Sequence, residues 1–334
     1  MARRILKYAA WALAAVLAAA LGACFWAYQV ATSRYETQWT VHAADFPIPF
    51  PLREEELAAL RAERIAAGAP AADPLAGVDL QALALERAVR RGQHLVETRT
   101  GCKECHGRDL GGATIIDAAF VGHWVAPNLT GGDGSVTKGF TASDWDRAVR
   151  HGVRHTGRTS SMPVVEFVNL SDRELSDVVA YIRSQPPVNR DMGAVRLGPV
   201  FAFLIATDPK ALGAFNIDHN KAHAVEPPPE VANAELGRHI VQVCRGCHGE
   251  NLSGGKLAGD PDMPIVANLT PDETGLKGWT EADFLRAIRE GKRKDGTDIS
   301  RMMPWQAYGR MTDTELKAIW AYLQTVPPRE KGNH

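Results

Sequence analysis

Residues 8–31 carry no charge; they are mostly Ala and Leu with aromatic side chains interspersed. As a helix rising about 1.5 Å per residue, those 24 positions would extend about 36 Å, enough to cross a hydrocarbon core. Arg3, Arg4 and Lys7 precede the run, and cations on that flank stay on the cytoplasmic side. The pattern predicts an uncleaved membrane anchor over 1–34, with the rest of the chain on the far side. Two readings compete with it: a cleaved signal peptide, and a lipoprotein signal in which Leu21-Gly22-Ala23-Cys24 resembles a lipobox. The apolar run continues past Cys24 through Phe25, Trp26, Tyr28 and Val30, which favours the anchor and leaves Cys24 without chemistry.

Over 35–79 the pattern breaks into Phe46-Pro47-Ile48-Pro49-Phe50-Pro51, a charged helix former over 53–66, and then Gly68, Pro70 and Pro74. Such a stretch predicts a stiff tether with one short helix, holding a domain off the membrane. Helical periodicity returns at 83–96 and 234–241. Thr141-x-x-Asp144 and Thr280-x-x-Asp283 open helices that stop at Gly152 and Gly291. Ser171 with Glu174, and Thr312 with Glu315, cap a last helix that Pro186-Pro187 or Pro327-Pro328 ends. Few stretches alternate with period two, so the expected class is all-α. The apolar run 200–205 is too short to span a bilayer; packing between domains is its expected use, with a dip into the membrane surface as the alternative. His219 and His223 read as solvated linker positions.

These elements occur twice. Cys102-Lys103-Glu104-Cys105-His106-Gly107 returns as Cys244-Arg245-Gly246-Cys247-His248-Gly249 at an offset of 142 residues, and Asn128-Leu129-Thr130 returns at Asn268-Leu269-Thr270 at 140. The Thr-capped helix recurs at 139, and Met162-Pro163 and the last helix recur at 141. A drift of three residues over five blocks means one domain in two copies. The expected division is 1–34 anchor, 35–79 tether, 80–190 first copy, 191–230 linker and 231–334 second copy.

At 45% apolar and 23% charged, the chain can bury a core. Thirty-eight basic against 39 acidic residues leave a charge of −1, so nothing draws it toward nucleic acid. Five cysteines, an odd number, do not describe a disulfide framework.

Four of them belong to Cys-x-x-Cys-His. Thiols at i and i+3 share one side of a helical turn and can form thioethers to the two vinyl groups of a haem, while the adjacent histidine presents its imidazole to the iron. Two matches in register within a repeat predict two covalently bound haem c, on Cys102, Cys105 and His106 and on Cys244, Cys247 and His248. A zinc ribbon would bring its cysteine pairs within about 20 residues of each other. For the sixth ligand, Met162 and Met303 hold equivalent places before proline. His123, His151 and His155 compete with Met162; Met263, Met302 and Met311 compete with Met303. His151 takes the place of Glu290 in the second copy, which reads as a solvated helix end.

With these motifs and the terminal Ala180-Tyr181 and Ala321-Tyr322, the chain resembles a membrane-anchored dihaem class I cytochrome c, over some 200 of its 334 residues. The resemblance implies two tandem cytochrome c domains whose first and last helices cross closely, Gly92 against Tyr181 and Gly237 against Tyr322. It places the Asn128 and Asn268 loops along the haems. If the Pro127 carbonyl accepts from the proximal imidazole, the second copy, with Ala267 there, needs another acceptor, and Pro264 is the candidate.

Irons capped on both sides leave no open position, so the expected activity is single-electron transfer. The expected partners are a respiratory or periplasmic donor and an oxidase or soluble carrier. The expected site is the bacterial inner membrane, with the haem domains facing the periplasm. The alternatives are a dihaem enzyme, a peroxidase or sulfur-compound dehydrogenase, and the cytochrome subunit of a larger dehydrogenase or respiratory complex.

Overall fold

A computed structural model describes residues 2–42, 44–256 and 264–332; Met263 and His334 lie outside them. The chain opens with α1 (Ala2–Tyr35) and α2 (Glu54–Ala66). The first copy contains α3 (Leu80–Thr98), α4 (Cys102–His106), β1 (Ala113–Ala118), β2 (Gly122–Ala126), α5 (Ala142–Arg150) and α6 (Asp172–Arg183). After β3 (Arg196–Leu197) and α7 (Pro199–Thr207), the second copy runs α8 (Ala234–Ile240), α9 (Gln242–His248), α10 (Glu281–Glu290), α11 (Trp305–Tyr308) and α12 (Asp313–Leu323).

All four expected capping boxes form. Thr141, Ser171, Thr280 and Thr312 each accept from the amide three residues on, and Asp144, Glu174, Asp283 and Glu315 each reach back to the cap amide. The two helix crossings form as well. A Cβ on Gly92 would lie 1.9 Å from the Asp177 carbonyl oxygen and 2.8 Å from Tyr181 Cβ; one on Gly237 would lie 1.9 Å from the Ala318 oxygen and 2.7 Å from Tyr322 Cβ. Only glycine lets the helices approach this far.

The fold is mostly helical, as expected, with one small addition. β1, β2 and β3 form an antiparallel sheet in that order, with Ala113 opposite Ala126 and Gly122 opposite Leu197. Its strands are too short, and β1 too irregularly buried, to show a period of two. At the equivalent point of the second copy, Gly255 and Val266 form a single bridge.

Residues 35–79 are not a spacer. Phe46 is buried in the first copy's core beside Leu95, Trp145 and Val178. Ser176 Oγ donates to the Pro47 carbonyl (2.8 Å), Arg173 donates to that of Pro51 (3.2 Å), and Glu56 pairs with Arg87 and Arg91. In this strap the aromatic rings between the prolines supply apolar area that is better buried than hydrated.

The run at 200–205 also departs from expectation, since it does not lie between the copies. As α7 it packs on the end of α1, where Ala31, Ala202, Ile205 and Leu212 form a small core and the Arg34 guanidinium donates to the Ile205 carbonyl. α1 is long and apolar enough to cross a membrane, with a mean hydropathy of 1.9, a property that signal sequences share.

Candidate functional site

α4 and α9 each follow the first helix of their copy and carry the two thiols and the histidine of the motif. All five cysteines are free. Burial pushes the thiols of Cys102, Cys105 and Cys247 up and that of Cys244 to about 12. The metal-ligating cluster among the described residues contains no cysteine.

His106 and His248 are buried. His106 Nδ1 lies 2.8 Å from the Pro127 carbonyl oxygen and His248 Nδ1 lies 2.7 Å from that of Ala267. A carbonyl only accepts, so each Nδ1 carries the proton and each Nε2 is left with a bare lone pair. Burial, only partly opposed by these hydrogen bonds, holds both imidazoles below the ordinary histidine value. The expectation for Pro264 is thereby corrected to Ala267. The acceptor is a backbone carbonyl, so the side chain at that position is immaterial; what matters is that it directly precedes Asn268, as Pro127 precedes Asn128.

The asparagines shape those loops alike. Asn128 Oδ1 accepts from the Thr130 amide and hydroxyl, and Asn268 Oδ1 accepts from those of Thr270. Leu110 and Leu252, buried at φ 56° and 59°, sit in the left-handed region that branched side chains rarely occupy, and their carbonyls accept from Leu129 and Leu269. The same unfavourable backbone twice over marks these turns as part of the site.

In the second copy a small apolar cavity is lined by Cys244, Leu269, Phe284, Met303, Tyr308 and other apolar side chains. It brings the attachment thiol and Met303 to one apolar space. Met302 is exposed, and Met311, though it borders the cavity, is also buried in the helix core. In the first copy Met162 is half-buried on a loop whose amide at that residue donates to Ser160 Oγ (3.3 Å). His155 is exposed and His123 pairs with Asp117 (3.3 Å). His151 is not a solvated helix end; it is fully buried, held by His219, which is itself buried, so the linker reading of His219 is corrected too. Bare imidazoles, free paired thiols, and an apolar cavity with a thioether together fit a covalently held haem.

The copies meet through two reciprocal contacts. His239 of α8 donates to Glu174 at the cap of α6 (2.9 Å), and His94, at the matching place on α3, donates to Glu315 at the cap of α12 (2.8 Å). Burial raises the Glu174 carboxyl, but Arg99 at 3.0 Å and His239 outweigh it and hold the group at about 2. Glu166 reaches across to α9, where a Cβ on Gly246 would lie 2.0 Å from its carboxylate oxygen. Glu104 fills that place in α4, so Gly246 is the residue that admits Glu166. None of these side chains is recognisable from one copy's motif alone; the repeat offset of His94 and His239 was the available signal.

Residues 89–186 match the family described as cytochrome c, and 232–323 match that of cytochrome c oxidase, cbb3-type, subunit III. The chain therefore contains two cytochrome c domains. It carries two covalently bound haem c, and is similar over most of its length to a "Diheme cytochrome c-type" of Cereibacter sphaeroides, 24% identical over 255 residues, covering 69% of this chain and 83% of that protein. It is also 34% identical over 117 residues to the fructose dehydrogenase cytochrome subunit of Gluconobacter japonicus, covering 31% of this chain. A third relative, the cytochrome c subunit of a quinone alcohol dehydrogenase of Gluconacetobacter polyoxogenes, is 33% identical over 118 residues, 33% of this chain. The chain spans about a quarter of the length of these two dehydrogenase subunits.

Proposed function

We propose that this protein is a membrane-anchored electron carrier that passes single electrons between a periplasmic or respiratory donor and an oxidase or soluble carrier. Haem iron supplies the one-electron ferric/ferrous couple. The observation that carries the proposal is the duplicated arrangement in which a buried imidazole is fixed by a backbone carbonyl with Nε2 bare, on a helix bearing two free thiols.

Each residue has a role in that scheme. Cys102 and Cys105, and Cys244 and Cys247, would anchor the group; His106 and His248, oriented by Pro127 and Ala267, would hold its iron through Nε2. Met162 and Met303 would supply a thioether to it, which raises the potential. Leu269, Phe284 and Tyr308 exclude water from the second site. Met303→Ala is expected to turn one of two low-spin haems high-spin and leave the other unchanged, with Met162→Ala doing the converse in absorption and electron paramagnetic resonance spectra. A wild-type high-spin ferric component that binds cyanide would instead favour a dihaem enzyme.

A second reading, that the chain is the cytochrome subunit of a dehydrogenase, is favoured by its similarity to cytochrome subunits of fructose, alcohol and gluconate dehydrogenases. Extraction in mild detergent would then recover a dehydrogenase subunit in fixed ratio. Uncleaved retention of α1 in the bacterial inner membrane is supported by its contact with α7, which ties the apolar helix to the folded body. The intact mass of the membrane-extracted protein tests it.

A further inference from the structure

Three imidazoles and a carboxylate gather where the linker folds back on α5, beside the Met162 loop. His219 Nε2 lies 2.8 Å from the Ala214 carbonyl oxygen and must donate to it, which leaves His219 Nδ1 bare. His151 Nδ1, 3.1 Å away, is then the donor of that pair. His151 Nε2 is left bare, yet it faces His223 Nε2 at 3.4 Å and Asp146 Oδ2 at 3.7 Å. Asp146 is itself fixed by the Ala44 amide on Oδ2 and by Arg150 on Oδ1.

Three acceptor atoms thus converge within 4.8 Å of one another in a buried place. A shared proton does not account for the spacing, because hydrogen bonds between such atoms run about 2.7–3.2 Å. Nitrogen and oxygen ligands at about 2.0–2.1 Å from a tetrahedral ion stand about 3.3–3.4 Å apart, close to the 3.4 Å and 3.7 Å that separate His151 Nε2 from its two neighbours. Charge argues the same way: Arg150 is shared by Asp146 (2.5 Å) and Asp172 (2.8 Å), so this buried triad is one positive charge short. The hydrogen bond from His151 Nδ1 to His219, relayed to a carbonyl, is the outer support that a ligating imidazole needs.

We propose that His151 Nε2, His223 Nε2 and Asp146 Oδ2 bind a divalent transition-metal ion of the zinc class, which pins the linker to the first cytochrome domain. Two imidazoles and a carboxylate suit zinc and its neighbours and do not suit calcium or magnesium. The ion is structural, since its ligands are drawn from the two segments it joins.

The test uses the full-length, detergent-extracted holoprotein, stripped with a chelator, supplied with zinc chloride, desalted and analysed for zinc against haem iron. One zinc per two haem irons is expected. His223→Ala, checked for its full complement of haem, should fall at least tenfold, His223→Cys should restore binding, and the exposed control His155→Ala should match wild type. X-ray absorption at the zinc edge should show nitrogen and oxygen ligands including two imidazoles. Zinc no higher in wild type than in His223→Ala, or a His223→Cys that folds with both haems and binds none, would overturn the proposal.

Discussion

The last helices of the two copies, α6 and α12, share a cap, a tyrosine and a glycine crossing, yet they sit in different surroundings. In α6 every residue from Asp172 to Ile182 is buried; in α12 only Glu315, Leu316, Ala318, Ile319 and Leu323 are. The polar face of α6 is covered by the strap and the linker, and each charge there has acquired a partner: Asp177 with Arg91 (2.6 Å), Arg173 with Glu226 (2.7 Å), Glu174 with Arg99 and His239. α12 keeps the ordinary one-sided burial of an amphipathic helix. The first domain is thus built into the chain that leads up from α1, while the second rests on it through one face.

Phe46→Ala should disturb this contrast most, at a cost of about 3–5 kcal/mol for an aromatic ring removed from a core. The loss should fall on α6 and leave α12 alone, as faster amide exchange in the first domain only. Equal loss in both helices would mean that the strap supports the pair of domains and not α6 alone.

Acid should act next. Glu174 is depressed from 4.5 to about 2, so its contribution is complete above about pH 4.5 and disappears as pH falls from there toward 2. At about 1.4 kcal/mol per unit, that is about 3 kcal/mol. Glu174→Gln should lose that stability at neutral pH and show a flatter acid limb of unfolding.

The smallest effect should erase the contrast. Thr141→Ala and Thr280→Ala each remove an N-cap worth about 1 kcal/mol, and because the two boxes are alike the melting shifts should match. A clear difference would show that dressing by the strap reaches α5.

What the sequence revealed and what it hid follow from the range of the interactions. Capping boxes and the haem motifs depend on neighbours or on a repeat, so they could be read directly, whereas the crossings at Gly92 and Gly237 came only with the resemblance to a known family. Phe46 looked like part of a spacer because nothing local says where its ring goes, although alternating aromatics beside prolines are an expensive composition for a chain left in water. His151, His219 and His223 come together across some 70 residues, and read one at a time each resembles a solvated side chain. Ala267 was passed over because its contribution is a carbonyl, which every residue has.

The reciprocal pairs His94 with Glu315 and His239 with Glu174 amount to an isologous contact, the geometry of a twofold homodimer, here written into one polypeptide. Two separate half-length chains meeting this way would come apart on dilution. Fusion turns the encounter into an intramolecular one, which raises the effective concentration of each half for the other, so even modest histidine–carboxylate pairs suffice to keep the halves together. It also ends the obligation of symmetry: once the halves are covalently distinct, only one needs a strap, a linker and a place beside α1.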